Sequence, residues 1–538
     1  MKRPPRFKNA RMGTNGKNMQ IWGALLQVSQ FYTEGNTSLK RLVPLVRSAI
    51  FGPLRPYESL QCQLRQGKAG KGLLTPNFCN MAKKAQKIKK GKRSELLIVN
   101  PDSAGIDVAS TEYQVCVPED RDTDFNRRFD AFTCDLKAIA QWLKQCKIKT
   151  VAMEATGIYW IQLYLLLEEN GFDVVICNAK HIKNLGEKKT DYVDAHWIQL
   201  LHTYGLLTES FLPENKIMEI KDLSRHRDRL IERCNQSILR VQKSLDMMNI
   251  KLHKVISDIK GKSGMAILRS IANGEKNPQE LVKLIHHRVK ANKEEVIKSL
   301  EGRWSESQVF ILKQNLDSYL YTHEQIRGLD LKLEEMLKTY AQLIQKHRKQ
   351  DPSREFRRAE KKMFANNAPC FDAERYCYEI LGVNIARIPG ISGLTAFKFV
   401  SEVGANFIEK FPTGDKFCCW ANVVPNNKKS GGKILSSKVP KRKSYVGQIF
   451  RVAANTLKNH KGYLGDLFRA KKAKLGYNQA VVAVAHKILR IIYKMVKDQV
   501  EYDDQIEQQK NVLNMQKRII YYQKKLEKSQ NMLLSIAS

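Results

Sequence analysis

The chain has 538 residues, 92 Lys and Arg against 54 Asp and Glu, a formal net charge of +38 and 43% hydrophobic residues. That length predicts about three domains, the apolar share excludes wholesale disorder, and no apolar run reaches the ~18–20 residues that span a bilayer. Positive charge on this scale, with no membrane expected as partner, points to nucleic acid.

The charge is uneven. Residues 1–100 hold 20 Lys and Arg and three Glu, and the first aspartate is Asp102. Scattered Pro, Gly and Asn without a sustained period fill residues 1–80, and Met81–Arg93 then packs seven basic residues into thirteen. Residues 1–95 are therefore read as a basic leader. It is either a disordered arm that adds phosphate attraction or translated upstream sequence with Met81 as the natural start. Eleven cysteines with no Cys-x-x-Cys pair suit reduced thiols rather than a disulfide framework or zinc site.

From Glu95 the periodicity sharpens, and residues 96–213 read as one α/β domain. Ser103–Ala109 and the alternating Glu112–Val117 predict two strands, and Arg128–Phe132 a third. Leu136, Ile139, Ala140 and Leu143 have helical spacing. Thr150–Glu154 is a fourth strand, Tyr159–Glu169 a helix ended near Gly171, Val174–Cys177 a fifth strand, and Thr190–Leu201 a last helix. Three strands, helix, strand, helix, strand, helix is the ribonuclease H-like order, although periodicity alone admits other α/β layouts.

Residues 214–350 read as long helices around a small helical insert containing Gly261, Gly264 and Gly274. Ile231, Ile238, Leu245 and Leu252 recur at seven with Cys234, Val241 and Met248 between them. Leu312, Leu316, Tyr319, His323 and Ile326 step by four and three; Leu333, Met336, Tyr340 and Leu343 follow a shortened step to Leu329. A coiled coil, antiparallel or between subunits, and a pair of ordinary packed helices both stay open. Residues 351–378 read as a charged linker and 379–502 as a mainly helical C-terminal domain. In that domain Gly390-Ile391-Ser392-Gly393 suits a helix-hairpin-helix whose glycine turn presents N–H groups to a phosphate. Lys428–Lys443 is expected as a basic loop, with Lys428, Lys429, Lys433, Lys438, Lys441, Arg442 and Lys443 as nucleic-acid contacts. The tail, 503–538, repeats Val512, Ile519, Leu526 and Leu533 at seven and is expected to be a helical tail that could form a further coiled coil.

Four carboxylates stand where chemistry prefers them. Asp107 is mid-strand, where an unpartnered charge is costly. Glu154 ends another strand, and Asp191 and Asp194 share a helix face at i and i+3. In a ribonuclease H-like sheet these elements adjoin, and paired divalent metals at phosphorus need such a cluster. Oxygen ligands favour Mg²⁺ or Mn²⁺. Asp173, Glu168 and Glu169 sit at helix ends or in loops and are set aside.

At this point the chain resembles a known family. Gly105-Ile106-Asp107-Val108-Ala109, Met153-Glu154-Ala155-Thr156-Gly157 and Lys189-Thr190-Asp191-Tyr192-Val193-Asp194-Ala195 resemble motifs of the DEDD-type transposases of bacterial insertion sequences, described as bridge-RNA-guided recombinases. The likeness continues through Ile256–Gly264, Leu300–Arg303, Ile388–Ile391, Asn426–Lys433 and Val481–Leu489, covering about residues 100 to 505. The resemblance implies a RuvC-like nuclease domain, a coiled coil and a serine transposase domain. It implies Asp107, Glu154, Asp191 and Asp194 as catalytic metal ligands and Ser430 as a nucleophile that forms a phosphoserine link to DNA. Donor and target DNA, a structured guide RNA, a dimer or tetramer and a bacterial cytoplasmic, nucleoid-associated location follow from the same resemblance. From the residues alone, Ser430-Gly431-Gly432 between lysines is a flexible phosphate-binding loop, and only the resemblance makes it a catalytic serine. A metal-dependent junction-resolvase-like nuclease and a non-catalytic nucleic-acid binder are the competing readings.

Overall fold

In the computed structural model the described residues are 97–178, 191–348, 355–359, 367–441 and 444–537. The basic leader with Met81, the Lys189-Thr190 half of the third motif, and Arg442 and Lys443 lie outside them.

A five-stranded mixed sheet comes first, built from β1 (Ser103–Val108), β2 (Glu112–Cys116), β3 (Asn126–Asp130), β4 (Thr150–Glu154) and β5 (Asp173–Cys177). Its order is β3-β2-β1-β4-β5, with β1, β2 and β3 antiparallel and β1, β4 and β5 parallel. β1 and β4 lie inside the sheet with both faces covered, which is why Ser103–Ile106 and Val151–Glu154 are continuously buried rather than alternating. Parallel neighbours need helical crossovers, supplied by α1 (Thr133–Gln145) and α2 (Trp160–Glu169). These pack Leu136, Ile139, Leu143, Leu163 and Leu167 onto one face with Ile106, Val108, Val151 and Met153. On the opposite face α3 (Asp191–Thr203) lays Ile198 and Leu201 over Ala152 and Cys177. The arrangement is a mixed α/β core compatible with a ribonuclease H-like domain.

Two long helices follow. α4 (Asn215–Met247) and α7 (Glu306–His347) run antiparallel within the chain: Glu214 meets Tyr340, Arg227 meets Asp330 and Cys234 meets Tyr319. Between them α5 (Lys262–Ala272), α6 (Lys293–Leu300) and two single-turn helices form the insert around Ile267, Leu268, Leu281 and Val296. On α4 the expected Cys234, Ile238, Val241 and Leu245 are buried, as is Met248 just beyond it. On α7 the expected His323 is exposed, and Thr322 is buried in its place with its hydroxyl donated to the Ser318 carbonyl at 2.7 Å. Beyond this one-residue step, the next buried position on α7 is a charge. Asp330, with only 4% of its side chain exposed, pairs with Arg227, 2% exposed. Arg227 Nη1 also donates to the Asn367 carbonyl at 3.1 Å, and Cys370 N–H donates to Asp330 Oδ2 at 3.1 Å. The pair thus ties the helices to the entry of the C-terminal domain.

That domain contains α8 (Ala373–Leu381), α9 (Gly393–Val403), α10 (Gly414–Trp420), α11 (Tyr445–Thr456), α12 (Tyr463–Leu475) and α13 (Tyr477–Asp498). Phe399 stacks edge-on against Phe407, Phe417 and Phe450 at its centre. α8 begins inside the stretch expected to be linker. Where a helix-hairpin-helix requires a first helix, the chain makes only a 3-10 turn, Ile385–Arg387. Pro389 explains the difference, because it holds Ile388 in an extended conformation (φ −68°, ψ 126°). The glycine turn then leads into α9, capped by Ser392. Much of Lys428–Lys443, expected as loop, belongs instead to a two-stranded ribbon of β6 (Asn426–Ser430) and β7 (Lys433–Lys438). The last helix is α14 (Asp504–Ala537). None of the described cysteines is in a disulfide.

Arg227→Met leaves the Asp330 carboxylate buried without its cation and is expected to destabilise the protein by about 3–5 kcal/mol in denaturant unfolding. Adding Asp330→Leu is expected to recover most of that loss. A double variant no more stable than Arg227→Met would show that the pair is not the reason.

Candidate active site

One close contact positions the acidic residues. β1 and α3 cross antiparallel. At one end Ser103 Oγ lies 2.8 Å from Thr203 Oγ1, and the Thr203 carbonyl accepts the N–H groups of Val99 and Asn100. His202 joins the same end to β4, its Nε2 lying 2.9 Å from Thr150 Oγ1, and burial lowers its pKa. Further along, the helix backbone sits on Gly105. A Cβ there would stand 2.2 Å from Gln199 N and 2.5 Å from Ala195 O, so only glycine fits. Gly105 and Asp107 are two residues apart on a strand and share a face. The next turn of α3 toward its start carries Asp194 and Asp191. Asp107 therefore lies on the face that the start of α3 crosses.

β4 adds the third element. Gly105 pairs with Ala152 and Ile106 with Met153 in parallel register. Glu154, two residues beyond Ala152, then stands beside Asp107 on the same face. Glu154 is 9% exposed, and Thr156 Oγ1 donates to its Oε1 at 3.0 Å. Asp107 is half-buried and its Oδ1 accepts the Val108 N–H at 3.0 Å. Sequence reasoning missed both the packing role of Gly105 and the bond from Thr156. Each lies inside a quoted motif, so a small residue two before Asp107 and a hydroxyl two after Glu154 were the available signals.

Asp107, Glu154 and Asp194 thus come to one side of the sheet from three elements, with Asp191 opening the same helix. Among the described residues no three His, Cys, Asp or Glu side chains close to metal-holding distance. The donor chemistry itself fits a hard divalent cation, since the set is made of carboxylate oxygens with no sulfur or imidazole among them.

Ser430 stands elsewhere. It is the last residue of β6 and pairs with Lys433 across Gly431 and Gly432, both at positive φ (+53° and +76°). Two such residues make a two-residue hairpin turn of the type that glycine favours. The turn and nearly the whole ribbon are exposed, and among the described residues no carboxylate or imidazole hydrogen-bonds the Ser430 hydroxyl. Lys428, Lys429, Lys433 and Lys438 line the ribbon, Lys441 follows it, and a bulge opposite Lys428 and Lys429 twists it. The nearby Ser437 donates to Asn427 Oδ1 at 2.6 Å and Ser444 caps α11, so both hydroxyls have structural work.

Residues 104–250 match a family described as transposase, of the DEDD, IS110 type, and residues 383–468 match the transposase IS116/IS110/IS902 family. The first segment spans the sheet, α3 and α4; the second contains the Ser430 ribbon. Together the two matches support an IS110-type insertion-sequence transposase. No curated protein matches it. The transposase therefore acts on DNA and catalyses strand transfer, and its DEDD-type domain points to a divalent metal. None of its described helices is long and apolar enough to cross a membrane.

Gly105→Ala in the transposase is expected to lower stability by at least about 1–3 kcal/mol through overpacking, and to abolish metal-dependent DNA cleavage by pushing α3 off β1. Thr156→Val is expected to leave the thermal midpoint near its original value and, if Glu154 is a metal ligand, to reduce cleavage about 10–100-fold. Cleavage by Gly105→Ala at the original rate would mean that α3 does not deliver its aspartates to Asp107.

Proposed function

We propose that the transposase exchanges DNA strands through a phosphoserine intermediate on Ser430, guided by a structured RNA. The observation that carries this reading is the ribbon tip. A hydroxyl flanked by Lys429 and Lys433 and followed by two glycines can approach a phosphodiester closely in a positive field, and a two-stranded β-ribbon fits the major groove. The Ser430 Oγ gives up its proton to a carboxylate of the acidic face and bonds to phosphorus. The P–O bond to the leaving strand breaks, and the departing deoxyribose oxygen takes a proton. Attack by the hydroxyl of the incoming strand then restores a phosphodiester and frees Ser430, so the number of phosphoester bonds is conserved and no nucleotide cofactor is needed.

Asp107, Glu154, Asp191 and Asp194 hold Mg²⁺ or Mn²⁺ in this reading, which when bound neutralises charge developing on the phosphate oxygens. Because Ser430 has no base of its own among the described residues, the ribbon meets the acidic face of the same or another subunit, in a dimer or tetramer. The basic residues Lys428, Lys429, Lys433, Lys438, Lys441, Arg442 and Lys443 hold the phosphate backbone. The setting is the bacterial cytoplasm, at the nucleoid.

That same lack of a bonded base favours a second reading, in which Ser430 only contacts phosphate and the acidic face hydrolyses DNA directly. Ser430→Ala separates them. Strand exchange and the covalent protein–DNA adduct are expected to fall on the order of 10³-fold or more, the scale of losing a nucleophile, while undiminished hydrolytic cutting would favour the nuclease. Asp107→Asn is expected to abolish cleavage under either reading; survival of activity would remove the acidic face from the mechanism. RNA recovered with the purified chain, sequenced and matched to the bound DNA ends, tests the guide.

A further inference from the structure

The last helix, α14, has 34 residues and is about 51 Å long at 1.5 Å per residue. It lies beyond both matched segments. Its first turn is fastened to the body: Asp504 accepts from Tyr502 Oη at 2.7 Å and from Tyr463 N–H at 3.3 Å, and Lys487 Nζ donates to Glu507 at 2.8 Å. From Gln508 to Asn531 every described residue is exposed. Over that stretch the described residues lack the burial against their own body from which most helical stability in proteins comes.

Its exposed residues carry a seam. Val512, Met515, Ile519, Tyr522 and Leu526 step by three and four, and each is more than half exposed. In heptad terms they fill a, d, a, d and a, with β-branched Val512 and Ile519 at a positions, a choice that favours two strands. The sequence places Gln516, Gln523 and Gln530 at the three e positions, and Arg518 and Lys525 at g. A parallel pair sets each g against the partner's following e, so Lys525 faces Gln530 without repulsion. An antiparallel pair sets g against g and brings basic residues together. We propose that α14 pairs in parallel and in register with α14 of a second copy of this chain, forming a two-stranded coiled coil. The seam, flanked by the equally exposed Leu513, Ile520 and Tyr521, fits an apolar partner of the same length and period, and the flanking charges suit an identical chain in the parallel sense. The inference stands apart from the chemistry at Ser430.

Parallel pairing places equal a positions face to face, which a disulfide reads directly. In the full chain, Leu526→Cys under mild oxidation is expected to give a species of twice the mass on a non-reducing gel, reversed by reductant. Adding Ile519→Lys is expected to remove it, and Glu527→Cys, one residue off the seam, to give little. The unsubstituted chain run alongside accounts for its own exposed thiols, such as Cys134 and Cys419. No adduct from Leu526→Cys, an equal adduct from Glu527→Cys, or a Leu526→Cys link within one chain or to another protein would overturn the pairing.

Discussion

The backbone of α3 approaches Gly105 so closely that a hydrogen atom fits between them and a methyl group does not. That approach sets the height of the helix above the sheet, and with it the reach of any short carboxylate on its first turn. Aspartates have little length to spare. A helix raised by the thickness of one methyl would lift Asp191 and Asp194 away from a face where Asp107 and Glu154 are fixed by strand register. The polar clasp at the far end, Ser103 with Thr203 and Thr150 with His202, fixes where along β1 the helix ends. The geometry of the acidic face is thus set by packing contacts that take no part in the chemistry.

A second constraint acts on the helical pair. A buried Arg227–Asp330 pair is a weak source of stability compared with apolar side chains of the same size. It is a strong source of register, because sliding α4 against α7 by one turn, about 5.4 Å, would strand two charges in an apolar seam. The same helix carries Arg225, bonded to both Glu402 oxygens at 2.7 and 2.9 Å, and Asp228, shared by Lys398 and Tyr445. α9 and α11 are therefore docked to α4 through directional contacts, and a register error in the pair would misplace both.

Much of the α/β half was legible because its signals are local. Continuous apolar runs marked β1 and β4, alternation marked β2, and Gly171 marked the end of α2. The side of the sheet on which Asp107 and Glu154 meet follows from pairing of residues far apart in sequence, which periodicity does not carry. The C-terminal half was less legible for definite reasons. The Lys428–Lys443 segment has the composition of a loop, and its two strands are exposed, so no apolar alternation announces them; Gly431-Gly432 was the one hairpin signal. Ile388 and Pro389 look like the approach to a tight turn between helices, yet the proline ends the possibility of a full helix before it. His323 fits the seam by spacing, and only the third dimension shows Thr322 turning its hydroxyl back to its own helix and taking the place.

The ribbon tip has one more property. Its turn has no side chains and its strands are stiffened by cross-strand hydrogen bonds, so it behaves as a lever rather than as a flexible arm. The position of the Ser430 oxygen is then decided by the orientation of the whole C-terminal body, not by local closure of a loop. Small rotations at the Arg225–Glu402 and Asp228–Tyr445 contacts are amplified along the ribbon's length. A change at those contacts, far from the tip, would therefore shift the Ser430 oxygen.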